Sequence, residues 1–134
     1  MGKKSVAIIL KNSKNELLLQ LRDEKPEIVY LGYWGFIGGG VEDGETELQA
    51  IKREIKEEID CDIGPTKELG KFYLKKEDII VTIFLSRIDK KIEEIKLTEG
   101  QAIRFFDLED IFDLKLVNVL KQFIIENKKE IFDK

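Results

Sequence analysis

Apolar residues recur along this chain in two rhythms. Residues 5–11 (SVAIILK) and 16–22 (ELLLQLR) are short, nearly unbroken apolar runs. The four residues between them (NSKN) are turn formers, so the pair reads as a β-hairpin with a turn longer than the tightest type. Pro26 and Gly32 mark residues 23–33 as a loop. The rhythm then changes. Thr46 can cap a helix, and Leu48, Ile51, Ile55 and Ile59 follow at helical spacing, within about 80° of one another on one face. Gly64-Pro65 stops any helix. Residues 66–75, 78–88 and 101–106 read as strands, and 114–126 as an amphipathic helix with Val117, Leu120, Phe123 and Ile124 inward. Strands, helix, strands, helix in that order predict an α/β fold with a mixed β-sheet between helices. No linker, repeat or low-complexity tract interrupts the chain, so residues 1–134 form one expected domain.

Composition narrows the chemistry. The 134 residues include 27 acidic and 23 basic side chains, one cysteine and no histidine. A Ser-His-Asp triad, a Cys-His pair, a histidine base and His-ligated zinc or haem are all excluded. A lone Cys61 excludes an internal disulfide, a CxxC redox pair and a Cys-only zinc site. Carboxylates, lysines, hydroxyls and hard cations remain. A net charge of −4 argues against a nucleic-acid polymer as partner. The N-terminal apolar run is too short for a secretory signal, Val6 stands where a myristoylation motif needs Ser or Thr, and no segment reaches membrane-spanning length. A soluble, cytoplasmic protein is the expectation.

The most informative stretch is WGFIGGGVEDGETELQAIKREIKEEID. Gly38 to Gly40 allow tight turns and close approach to a ligand, and read as a loop. Glu54, Glu57 and Glu58 stand at i, i+3 and i+4, on one stretch of helix surface. Like charges so placed repel by a few tenths of a kcal/mol per exposed pair, and acids in the last turns oppose the helix dipole. Two readings stay open. The acids belong to a solvated face with Lys52 and Lys56 as partners, or they gather a divalent cation. Oxygen ligands beside a glycine run suit Mg2+ or Mn2+ and hence a phosphate ester or anhydride.

Gly39, five residues, Glu45, seven residues and then Arg53-Glu54-Ile55-Lys56-Glu57-Glu58 resemble the Nudix box, G-x5-E-x7-R-E-U-x-E-E-x-G-U, where U is bulky and aliphatic. Asp60 and Cys61 stand where the box ends in glycine and an aliphatic residue, and Ile37 where many members have proline. Asp reaches the left-handed conformation less easily than Gly, so a reshaped or strained helix end is expected. The resemblance covers nearly the whole chain and implies the family's α/β/α sandwich, MutT-like in build.

The resemblance also implies roles. Glu54, Glu57 and Glu58, the carbonyl of Gly38, and Glu99 in Glu99-Gly100-Gln101 would hold Mg2+ or Mn2+. Glu54, or else Glu99, would be the general base for water attack on a pyrophosphate. Arg53 would orient the carboxylates, and Glu45 would tighten the junction into the helix. Arg22, Gly39 and Tyr33 are candidate substrate contacts, with Tyr30 a weaker one. Trp34, Phe105 and Phe106 read as core, Cys61 as packing and Asn118 as an exposed helix position. The expected activity is hydrolysis of a nucleoside diphosphate derivative, a nucleoside triphosphate or a nucleotide sugar. A nucleotide-sensing module on the same fold is the rival, and an intact glutamate set favours the enzyme. Dimers are common in the family, and a homodimer is left open.

Overall fold

The computed structural model describes residues 3–21, 34–96, 102–114, 116 and 118–132. Its elements are β1 (Lys3–Lys11), β2 (Leu17–Leu21), β3 (Trp34–Gly35), β4 (Ile37–Gly40), α1 (Glu47–Ile59), β5 (Lys67–Leu74), β6 (Ile79–Arg87), β7 (Ala102–Phe106), α2 (Leu108–Asp113), α3 (Asn118–Glu126) and α4 (Lys128–Phe132).

β1 organises a mixed sheet. It runs parallel to β6 over its whole length, from Lys3↔Ile79 to Lys11↔Arg87. On its other edge it meets two partners in turn. Beside the hairpin turn it pairs with β2, at Leu10↔Leu18 and Lys11↔Leu17. The two strands then splay, and residues 34–40 fill the gap. β4 pairs antiparallel with β1 (Ser5↔Gly40 to Ile8↔Ile37), and β3 with β2 (Gln20↔Gly35, Leu21↔Trp34). β7 adds to the far edge of β2, and β5 to the far edge of β6.

Strand alternation divides the core into two layers. Val6, Ile8, Leu10, Leu18, Ile37 and Phe84 pack with Ala50, Ile51, Ile55 and Ile59 of α1. Ile9, Leu17, Leu19, Val81 and Ile83 face the opposite way, under Ile111, Phe123, Ile124 and Ile131 of α2, α3 and α4. A sheet covered on both faces needs apolar residues at both parities, which is why β1 and β2 read as unbroken apolar runs. Each such buried side chain contributes about 1.5–3 kcal/mol. Trp34 meets Phe106 edge to face, with ring centres 4.9 Å apart, inside the second layer. Among the described residues no helix is long and apolar enough to cross a membrane.

Helix α1 has sharp ends. The Gln49 N–H donates to Thr46 Oγ1 at 3.1 Å and the Thr46 N–H to Gln49 Oε1 at 2.9 Å, a reciprocal cap on two otherwise orphan donors. At the other end Asp60 adopts φ 53°, ψ 44°, the left-handed conformation in which glycine commonly ends helices, and its N–H donates to Lys56 O at 3.1 Å. The helix therefore stops as a glycine would stop it, and Asp60 carries the strain. Cys61 is buried beside it, as a packing residue.

Three expectations are corrected. The glycine run is not a loop, because Gly38 to Gly40 form most of β4. Leu48 does not share the buried face of Ile51, Ile55 and Ile59; it is 41% exposed, in the first turn, where the helix starts beyond its apolar support. The C-terminal helix expected over 114–126 starts later, as α3 at Asn118, after Leu116, which sits between α2 and α3. Two short helices outside that range, α2 before it and α4 after Asn127, were not expected. Val117 lies outside the described residues.

Replacing Asp60 with glycine is expected to stabilise the protein by about 0.5 kcal/mol, since relief of left-handed strain outweighs the extra chain entropy. Urea denaturation checks this. A loss of stability would mean that the 3.7 Å approach of Lys56 Nζ to Asp60 outweighs the strain.

Candidate active site

Two glycines of β4 build the seat for the acidic helix. A Cβ on Gly38 would collide with the Val6 carbonyl and come within 2.7 Å of Ala7 Cα, so only glycine lets β4 lie this close to β1. A Cβ on Gly39 would fall 2.5 Å from Glu54 Cδ and Oε2. The bare backbone of Gly39 is thus what the Glu54 carboxylate packs against. The structure assigns this seating to Gly39, a contact distinct from the expected one to substrate.

Arg53 gathers the rest. Its Nε donates to Glu45 Oε2 at 2.8 Å, and Nη2 donates to Glu45 Oε1 at 3.0 Å and to the Gly40 carbonyl at 2.9 Å. Nη1 donates to Glu54 Oε2 at 2.9 Å and to the Glu57 carboxylate at 3.1 and 3.3 Å. All five N–H groups of the guanidinium are engaged. Its side chain is 26% exposed, so these ion pairs are only partly screened. The hydrogen bond to Glu45, followed by those to Glu57 and Glu54, holds the guanidinium proton more firmly than in free arginine. In return Arg53 holds the Glu45 carboxyl below its ordinary value, helped by the Glu42 N–H that donates to Glu45 Oε1 at 2.9 Å.

The structure thus brings Gly39, Glu45, Arg53, Glu54 and Glu57 into one cluster at the β4–α1 junction. Glu58 lies on the inner side of α1 and is 5% exposed. Gly38 anchors the strand beneath. Arg22, Tyr30, Tyr33 and Glu99 lie outside the described residues. The part played by the Gly40 carbonyl was not legible, because a main-chain acceptor leaves no mark in side-chain identity. Its only signal is position, in the glycine run just ahead of the helix.

As the side chains stand, no three acidic or sulfur groups among the described residues converge tightly enough to form a cation site. The donor chemistry nonetheless suits one. Glu54 and Glu57 offer only hard oxygens, which match Mg2+ or Mn2+ and disfavour soft metals. The cradle at Gly39 is occupied by the Glu54 carboxylate.

A family model of the NUDIX domain matches residues 1–126. The chain belongs to this family. The MutT protein from Methanosarcina mazei Go1 superposes with a TM-score of 0.83 at 26% identity, over 96% of this chain and 94% of that one. The NUDIX domain of Shewanella oneidensis NrtR, crystallised with ADP ribose, superposes at 0.80 over 98% of this chain and 89% of that one; at 15% identity it shares the fold. Dihydroneopterin triphosphate diphosphatase of Escherichia coli K12 is 41% identical over 58 residues, which are 43% of this Nudix chain and 35% of that relative. The chain therefore aligns with about a third of that relative's length.

Two outcomes test this geometry. Gly39→Ala has no space for its methyl group unless Glu54 moves, so in any assay that depends on Glu54 it should lose at least about tenfold with the fold retained. Circular dichroism checks the fold. The Glu45–Arg53 pair should contribute its full stability above pH 4.5, the ordinary value for the Glu45 carboxyl, and lose it as pH falls through the depressed value. The difference in Tm between the wild type and Glu45→Gln should accordingly shrink on acidification, as read by thermal melts across pH 3 to 7.

Proposed function

We propose that this chain is a pyrophosphohydrolase that uses Mg2+ or Mn2+ to cleave a nucleoside diphosphate derivative, a nucleoside triphosphate or a nucleotide sugar. The observation that carries this reading is the Arg53 fork, whose Nη1 holds both Glu57 and the Glu54 carboxylate that is seated against Gly39. Glu54, Glu57 and Glu58 are the proposed ligand carboxylates, with the Gly38 carbonyl and Glu99 completing the set. When bound, the cation would offset the charge of the phosphates and sharpen the acidity of the attacking water.

The residues of the chain do the rest. Glu54 Oε2 is tied to Arg53, which leaves Oε1 as the oxygen to take a proton from the attacking water. Glu99 is the rival base. Arg53 acts as a positioning residue, because none of its donors is left over for a phosphate. Arg22 and Tyr33 are the proposed substrate contacts. No histidine is present, so a rate transition near pH 6.5 would have to come from a carboxylate or from the substrate's own phosphate.

The relatives suggest the panel. The E. coli relative is named for dihydroneopterin triphosphate, and the Shewanella domain was crystallised with ADP ribose. Assayed with Mg2+ against both, and against nucleoside triphosphates, dinucleoside polyphosphates and nucleotide sugars, the purified protein should turn over at least one compound. Tight binding of one compound without turnover of any would favour the sensing module instead. Glu57→Gln should lower kcat by orders of magnitude while the protein stays folded; an unchanged rate would show the assigned ligand set to be wrong.

A further inference from the structure

We propose that Arg53 acts as a built-in counter-ion that competes with the cation, so that the free protein holds a divalent metal only weakly. The inference rests on the hydrolase reading above and concerns the regulation of that same site. Nη1 engages one oxygen of Glu54 and both oxygens of Glu57, which are the oxygens a cation would share. It cannot simply retreat. Nε and Nη2 are pinned on the far side by the fork to Glu45 and by the Gly40 carbonyl.

A divalent ion sits about 2 Å from a ligand oxygen, so an ion on Glu54 Oε2 would lie within about 5 Å of Nη1. At that distance, even the dielectric of water leaves a repulsion worth about tenfold in affinity, and a partly buried site leaves more. A polyanionic substrate relieves the conflict, because its phosphates add the negative charge that lets guanidinium and metal coexist. The metal is therefore recruited together with its substrate, and stray cation binding by the free site is kept low.

The test is Mn2+ binding to the free protein, read by electron paramagnetic resonance. Arg53→Gln removes the charge and should bind Mn2+ at least about tenfold more tightly than the wild type. Arg53→Lys keeps the charge and should stay near the wild-type affinity. A purely structural role for Arg53 predicts the reverse, with the glutamine variant binding more weakly, and that result would overturn the proposal. So would equal tightening in the lysine variant. A second readout needs no variant. On addition of Mg2+ to the wild type, the Arg53 side-chain 15N signals should move at Nη1 and hold at Nε; a still Nη1 also overturns the proposal. Failure of all three proteins to bind Mn2+ at millimolar concentration would instead strike the metal-dependent reading itself.

Discussion

The five-donor guanidinium of Arg53 is the constraint on which the rest of this structure hangs. It ties the end of β4 (Gly40), the turn that follows (Glu45) and two turns of α1 (Glu54, Glu57) into one rigid junction. Without it the acidic helix would be awkward, because carboxylates one turn apart repel and acids near a helix C-terminus oppose its dipole. One cation of the chain's own offsets these penalties together. The rest of the fold brings the partners within reach. The splay of β1 and β2 opens the gap that β4 fills, and glycines at 38 and 39 let β4 lie low enough for Glu54 to settle on it.

Much of this was legible in the chain. The hairpin, α1 and the β5–β6 pair follow from apolar period, turn residues and caps. The resemblance carried by Gly39, Glu45, Arg53, Glu54 and Glu57 pointed to the residues that meet at this junction, and it implied an orienting part for Arg53. What was not legible depends on partners distant in sequence. Three glycines carry almost no strand preference, and they form a strand because β1 supplies the ladder, leaving no room for a side chain at Gly38. The amphipathic period of the tail marks α3 but not α2 and α4, whose six and five residues hold too few turns to show a period. Leu48 keeps the helical phase of Ile51 and Ile55 but lies beyond the apolar ground they cover. Period fixes direction around a helix, not how far the opposing surface extends.

Asp60 shows how a departure from a motif can be absorbed. The backbone conformation that the motif glycine would supply is present, complete with its capping hydrogen bond. Asp belongs to the few side chains that tolerate this region, and Lys56 Nζ lies 3.7 Å from its carboxylate. The substitution therefore costs local strain and leaves the last turn of α1, with Glu57 and Glu58, in place. The adjoining Cys61 is buried in the same inner layer as Ile55 and Ile59, so both departures fall at the helix exit.

The absence of histidine gives this arrangement its sharpest consequence. In a site built only from carboxylates and a guanidinium, the sole group that changes charge near neutrality would be a carboxylate raised by burial or the substrate itself. The geometry works against the first route at Glu45, whose ionised form Arg53 stabilises. Glu45 therefore keeps its charge across the neutral range, and on the proposed reading changes in occupancy come from ions that arrive. On the proposed reading a locked internal cation and a diffusible one would contend for the same oxygens, and the phosphate load of the incoming ligand would decide the balance. This is a different logic from a histidine site, where a proton makes that decision.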